Sequence, residues 1–186
     1  MCSREYRHQA WDSLSGKWGT IILASVISSL LTTAASFIFF GSLLITGLVG
    51  VGMASIMLSL IRRQDVSISQ IFDGFQTNLS TNFVAGILYN IYIIFWSLLF
   101  IIPGIVKAYS YAMTFYILRD NQNLTASEAI TESRRIMYGN KMRLFCLDFS
   151  FIGWYLLSIC TFGILLLWVV PYHQAARAAF YESIRD

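Results

Sequence analysis

Three long uncharged stretches dominate the pattern of hydrophobic and polar positions along the chain. Residues 18–61, 74–106 and 149–176 contain no Asp, Glu, Lys or Arg over 44, 33 and 28 positions, respectively. Each stretch is longer than the roughly 20 apolar residues that a helix needs to cross a bilayer. The pattern therefore predicts a polytopic membrane protein.

Each apolar region is long enough to divide into two helices at a glycine-containing turn. The expected turns are Gly41-Ser42, Pro103-Gly104 and the segment 161–163, since proline suits the first turn of a new helix and glycine permits a tight reversal. The predicted spans are about Gly19–Phe40, Leu43–Ile61, Phe83–Ile102, Pro103–Leu118, Leu144–Cys160 and Ile164–Tyr181.

The expected fold is all-α: a polytopic membrane helical bundle of about six transmembrane helices, arranged as three hairpins with short cytoplasmic interfacial helices. It forms a single integral membrane domain over residues 1–186. The fourth span is the shortest, because 16 residues reach only about 24 Å across a hydrocarbon layer about 30 Å thick. A tilted or re-entrant fourth helix is the alternative to a full crossing.

A polar or amphipathic segment containing a glycine precedes each hairpin. These glycines, Gly16, Gly74 and Gly139, are 58 and 65 residues apart. The spacing predicts three copies of a unit of about 60 residues, divided as 1–61, 62–118 and 119–186. Hairpin geometry shared without a repeat is the alternative.

Composition and charge sharpen this interpretation. Hydrophobic residues make up 56% of the chain and charged residues 12%, which is about half the charged fraction of a soluble domain. Twelve of the 13 Lys and Arg residues fall on one predicted side, either between the hairpins or near the ends of the spans on that side. Positive residues near span ends stay cytoplasmic, so both termini are predicted to be cytoplasmic. Because these residues flank the spans instead of forming a separate basic module, no nucleic-acid partner is expected.

Polar side chains inside the spans are the candidate functional residues. An ionisable group at bilayer depth costs roughly 2.5–3.5 kcal/mol, so Asp148 needs a partner, and Arg177 lies at similar depth on the returning helix. The pair either fixes helix register or forms part of an ion or proton pathway. Asn90 is expected to bond another helix, and Lys107 to extend towards water. His173 has no second ligand at useful spacing, so no metal or cofactor is predicted.

The best-formed segment outside the spans begins at Thr125. Thr125 and Glu128 form a predicted capping box, and Gly139 ends the helix. Helical spacing places a stripe of mostly small residues on one face: Ala126, Ala129, Ile130, Ser133 and Met137. The opposite face carries Glu128, Thr131, Glu132 and Arg135. The helix is either a structural element at the interface or a docking surface for a partner.

The second span is rich in small residues, which allow another helix to approach closely. They are Gly47, Gly50, Gly52, Ala54 and Ser55. This span is therefore expected at the centre of the bundle or at a homo-oligomer seam.

Several segments resemble a known family. IIPGIVKAYSYAMTFYILRDN, ASEAI, MYGNKMRLFCLDFSFIGW and WVVPYHQAARAAFY, together with the opening SLSGKWGTI, are similar to the bacterial integral-membrane domain-of-unknown-function family 975. The resemblance implies a multi-pass protein of the bacterial cytoplasmic membrane and implies no activity, substrate or active site.

The sequence contains no catalytic or nucleotide-binding motif of the common types, so the chain is not expected to be an enzyme. We expect a non-enzymatic accessory or scaffold protein, with the lipid bilayer, a second copy or another membrane protein as partner. The alternative is a transporter or channel component in which Asn90, Asp148, His173 and Arg177 line a pathway.

Overall fold

The computed structural model describes residues 3–36, 41–99, 101–161 and 163–185, and the regular structure in these ranges is entirely helical. This confirms the predicted all-α class. The helices are α1 (Ser3–Leu14), α2 (Trp18–Ser36), α3 (Gly41–Ile61), a 3-10 helix (Ile68–Phe72), α4 (Asp73–Gln76), α5 (Leu79–Leu99), α6 (Ile101–Tyr111), α7 (Thr114–Asp120), α8 (Ala126–Ile136), α9 (Lys141–Phe149), α10 (Ile152–Cys160) and α11 (Leu166–Glu182).

Helix α3 lies at the centre of the molecule. It contacts α1, α2, α5, α7, α11, the 3-10 helix and α4, and most of its residues after Gly47 are buried. A Cβ atom on Gly47 would lie 2.8 Å from the Cα of Gly86 in α5, and one on Gly52 would overlap the carbonyl oxygen of Ile71. The small residues therefore permit backbone-to-backbone contact, which confirms the predicted central position of this helix.

The first hairpin consists of α2 and α3. The predicted turn at Gly41-Ser42 is wrong at these two residues, because Gly41 already begins α3. The predicted end of the first span, residues 37–40, lies outside the described residues.

The predicted fourth span, Pro103–Leu118, is wrong as a single helix. Pro103 lies in the first turn of α6, as expected for proline, but the helix ends at Tyr111 and α7 begins at Thr114. The buried hydroxyl of Ser133 in α8 donates to the carbonyl of Ser110 at 2.9 Å and accepts from the amide of Met113 at 3.3 Å. One side chain thus supplies the hydrogen bonds that the interrupted helix cannot make internally.

The third hairpin is formed by α9 and α10 on one side and α11 on the other. A tight turn at Ser150 and Phe151 separates α9 from α10, and there the amide of Phe151 donates to the carbonyl of Asp148 at 3.0 Å. The return begins at Gly163, whose φ is +84° and whose amide donates to the carbonyl of Ser158 at 2.8 Å. A left-handed glycine after a helix is a common helix end, so the predicted turn is confirmed at this residue.

Length and apolar composition identify fewer spans than expected. Two segments of the described chain qualify as membrane-spanning helices, Leu79–Trp96 and Lys141–Cys160, and a third qualifies if the pair Arg4–Leu14 and Trp18–Ala34, bent by 103°, is counted as one. Ile45–Ile61 is a shorter apolar helix. The six-span arrangement is therefore not confirmed.

The amino-terminal helix contributes to the core, although the sequence indicated only a polar interfacial segment. Tyr6, Ala10 and Leu14 are buried at spacings of four residues, and α1 packs against α11. The ring of Tyr6 meets that of Phe180 edge-on at 5.4 Å. Apolar residues on one stripe of a mostly polar helix are enough to bury that stripe.

The threefold repeat stays a prediction. Gly16 and Gly139 each follow a helix and have positive φ angles of +81° and +79°. Gly74 instead lies inside α4, packed against the backbone of Leu48.

Candidate functional site

A partly buried polar network is centred on Asp148 in α9. Two residues of α11, His173 and Arg177, are one helical turn apart and therefore face the same direction. One carboxylate oxygen of Asp148 accepts from Nε2 of His173 at 2.8 Å and from Nε of Arg177 at 3.0 Å. Arg177 also reaches the second oxygen through Nη2. The predicted pairing of Asp148 with Arg177 across the third hairpin is thus present.

Two tyrosines complete the network. The hydroxyl of Tyr109 in α6 donates to the second oxygen of Asp148 at 3.0 Å, and the hydroxyl of Tyr155 in α10 lies 2.9 Å from Nδ1 of His173. A neutral imidazole protonated on Nε2 satisfies both of its contacts, since Nδ1 then accepts from Tyr155. Phe151 stacks on this imidazole with ring centroids 4.6 Å apart.

The network leaves Asp148 with little capacity for another ligand. Its carboxylate accepts hydrogen bonds from His173, Tyr109 and two nitrogens of Arg177, and a carboxylate offers about four acceptor positions. Its side chain is 13% exposed. Within the described part of the chain, no group of three or more His, Cys, Asp or Glu residues could hold a metal ion. The arrangement therefore fixes α6, α9, α10 and α11 relative to one another.

The other two predicted intramembrane residues lie elsewhere. Asn90 donates to the carbonyl of Gly86 in its own helix at 2.8 Å, so the predicted interhelical bond is wrong. Asparagine can satisfy its amide one turn back along a helix without a partner helix. The ammonium group of Lys107 lies 4.5 Å from the ring centroid of Trp96. This is a cation–π contact, and the extension of Lys107 towards water stays a prediction.

A second polar network, which the sequence analysis missed, joins the ends of α3, α7 and α11. Arg62 contacts Asp120 and Glu182, each at 2.7 Å. Asp120 also accepts from Tyr181 at 3.1 Å and from Arg185 at 3.3 Å. The hydrogen bond to Asp120 is the largest contribution that raises the pKa of the Arg62 guanidinium above its ordinary value. All these residues lie at or just beyond the ends of predicted spans, but local spacing does not indicate which of them pair.

Helix α8 matches its predicted pattern. The amide of Thr125 donates to the Glu128 carboxylate at 2.7 Å, and the amide of Glu128 donates to the Thr125 hydroxyl at 3.4 Å, which confirms the capping box. The bonds from Thr125 lower the pKa of Glu128. Glu132 and Arg135 form an ion pair one turn apart, with Nε 2.8 Å from the carboxylate. The predicted inward stripe is buried in full: Ala126, Ala129, Ile130, Ser133 and Met137.

Comparison with known proteins gives one match. Residues 98–186 match the family described as "Protein of unknown function (DUF975)". The match covers α6 to α11 and so includes the Asp148 network and α8. No curated protein and no solved structure matches the chain.

Proposed function

We propose that this chain, whose residues 98–186 match the DUF975 family, is an integral membrane protein of the bacterial cytoplasmic membrane. In this proposal it acts as a non-enzymatic accessory or scaffold protein, with both termini on the cytoplasmic side. The bilayer is its first partner, and another membrane protein or a second copy is the next.

The inverted polarity of α10 supports the placement in a membrane. Its one buried residue, Ser158, is polar, whereas Trp154, Leu156, Leu157 and Ile159 are between 43% and 74% exposed. Exposing a large apolar side chain to water forfeits roughly 1.5–3 kcal/mol. A soluble domain would bury these side chains, whereas a lipid environment accepts them without that cost.

The closed Asp148 network is the observation that favours a scaffold over a transport pathway. A pathway residue needs a vacant acceptor or a path to water, but the Asp148 carboxylate is occupied by Arg177, His173 and Tyr109. Asn90, the fourth member of the alternative pathway, bonds within α5. Buried charges that satisfy one another hold helices in register.

Helix α8 is the proposed partner-facing element. Its inner stripe packs against α5, α6 and α7, while Glu128 and Arg135 are exposed and Glu132 is half-buried. The Glu132–Arg135 pair presents adjacent opposite charges to a partner. A partner contact there would be electrostatically specific and sensitive to salt.

Replacement of Asp148 tests the scaffold assignment. Asp148→Asn leaves Arg177, whose side chain is 37% exposed, without its counter-charge, and each hydrogen bond lost to a charged group costs about 1.5–3 kcal/mol. We expect much less folded protein in the membrane, measured by detergent-solubilised monodisperse yield. Asp12→Asn is the matched control, because Asp12 is 54% exposed and pairs only with the exposed His8 among the described residues. Normal yield of Asp148→Asn would contradict the structural role and favour transport.

Membrane placement has its own test. Membranes from cells that express the chain are washed with alkaline carbonate, which removes peripheral proteins. The chain should remain in the pellet and should dissolve only with detergent. Its release as a soluble monomer would refute the proposal.

A further inference from the structure

A basic groove lies between α6 and α8. We define it by Lys107 of α6, Arg134 of α8, Lys141 of α9, Trp96 of α5 and Tyr138. It comprises two cavities of about 260 and about 500 Å³ that share Lys107, Thr131 and Arg134 in their walls. Neither cavity has an Asp or Glu residue in its lining.

The three cations of the basic groove are not neutralised by the protein. Arg135, which also lines the larger cavity, forms an ion pair with Glu132. Arg62, Arg119 and Arg177 form ion pairs elsewhere in the molecule. In contrast, Lys107, Arg134 and Lys141 have no carboxylate within ion-pair distance in the described part of the chain; the ammonium of Lys107 contacts only the face of Trp96. Like charges gathered in one concavity repel one another and create a positive potential that an anion relieves.

Trp96 and Lys141 both line this groove. Trp96 lies in the last turn of α5, which ends at Leu99, and Lys141 is the first residue of the segment Lys141–Cys160. Tryptophan and lysine are the residues that concentrate at the boundary between lipid and water. Exposed apolar side chains continue from the groove on α6, where Ile105 and Val106 are 51% and 45% exposed. The groove therefore combines a cationic cavity with an adjoining apolar surface.

We propose that the basic groove binds the phosphate group of an anionic phospholipid, with the acyl chains lying against the apolar surface of α6. The proposal rests on the membrane placement proposed above. Arg134 can hold two phosphate oxygens with its planar guanidinium, and Lys107 and Lys141 add point charges. The hydroxyl of Tyr138 is a further donor in the same cavity. A zwitterionic headgroup would bring its own ammonium towards three cations, so the groove should discriminate against it.

Lipid binding by the purified full-length chain tests the proposal. The protein is titrated in non-ionic detergent with short-chain phosphatidylglycerol, phosphatidylcholine of the same chain length, or inorganic phosphate, and bound ligand is counted by native mass spectrometry. We expect phosphatidylglycerol to bind at least about tenfold more tightly than phosphatidylcholine, because each basic residue near an anionic lipid contributes about 1 kcal/mol, or roughly fivefold. Inorganic phosphate should compete only weakly, since it lacks the acyl chains.

Variants assign the binding to the groove. Arg134→Gln should weaken phosphatidylglycerol binding about fivefold, and joint replacement of Lys107, Arg134 and Lys141 by Gln should weaken it on the order of 100-fold if the contributions add. Arg134→Lys keeps the charge but loses the planar guanidinium that can donate two parallel hydrogen bonds. Its affinity for phosphatidylglycerol should lie between that of Arg134→Gln and that of the unaltered chain. Arg4→Gln removes one exposed charge from α1 and should change nothing.

Three results would overturn the inference. Equal binding of both lipids would refute charge selection, and full competition by inorganic phosphate would assign the groove to a small anion. Unchanged binding by the triple variant, with an unfolding temperature equal to that of Arg4→Gln, would place the lipid elsewhere. Carbonate extraction separates this inference from the membrane placement: a chain that stays in the membrane without lipid selectivity contradicts only the groove.

Discussion

The single hydroxyl that bridges the break between α6 and α7 provides the sharpest stability prediction. Ser133 is fully buried, donates to the carbonyl of Ser110 and accepts from the amide of Met113. Ser133→Ala removes both bonds and leaves two buried backbone groups without partners. Ser110 and Met113, the residues that carry these two groups, are 2% and 0% exposed.

The magnitude follows from the two backbone groups. A buried donor or acceptor left unsatisfied costs about 1–3 kcal/mol, so the two together give about 2–4 kcal/mol after partial relaxation. Alanine is a better helix former than serine, and this higher helix propensity offsets a few tenths of a kcal/mol of the cost. Ser127→Ala on the exposed face of α8 has the same helical gain without a buried bond. The difference between the two variants therefore isolates the hydroxyl of Ser133.

Thermal unfolding in detergent, followed by circular dichroism at 222 nm, measures this difference. For a chain of this size 1 kcal/mol shifts Tm by about 2–4 °C, so Ser133→Ala should unfold about 5–15 °C below Ser127→Ala. Amide exchange should accelerate in α6 and α7 and remain slow in α11. Equal Tm values for the two variants would show that the break does not depend on this hydroxyl.

Three further stability predictions use the same assay. Gly47→Ala should destabilise the α3–α5 contact by about 1–3 kcal/mol through overpacking. The control is Gly153→Ala, whose added Cβ meets nothing within 4 Å and which should be neutral or stabilising. A similar loss of stability in both variants would contradict the close contact. Asp120→Asn should cost about 1.5–3 kcal/mol because Arg62 loses a charged hydrogen bond, and a change within 0.5 kcal/mol would count against the network. The folded-state pKa of Glu128 is lowered from 4.5. The stabilisation by its carboxylate is therefore present above pH 4.5 and is lost as the pH falls through the lower folded-state pKa. The difference in Tm between the unaltered chain and Glu128→Gln should change on acidification, and a pH-independent difference would refute the contribution of the capping box.

Regular helical pattern and capping chemistry were predictable from the sequence. The inward stripe of α8 and the capping box at Thr125 depend on residues within one helical turn, so local spacing was enough to find them. The central position of α3 also followed from its glycines, because few other residues permit backbone contact. The pairing of Asp148 with Arg177 was predictable since both charges lie near the same end of one hairpin.

Features that depend on distant segments were not predictable in this way. The break after Tyr111 has no proline or glycine at the site and is supported by Ser133, more than 20 residues later. The partners of Arg62 come from α7 and α11, 58 and 120 residues away. Tertiary hydrogen bonds of this kind override local helix propensity, and only a spatial arrangement identifies them.

The polarity of exposed surface reverses between α8 and α9. On α8 the outward residues Glu128 and Arg135 are charged and the buried ones are small or apolar. On the segment that follows, Phe149 and Ile159 are 62% and 74% exposed while the side chain of Asp148 is 13% exposed. A single aqueous environment would destabilise one of these two arrangements, because it rewards exposed charge and penalises exposed apolar surface. The proposed membrane placement requires such a reversal, and it locates the boundary of the bilayer near Lys141, where the unpaired cations of the basic groove converge.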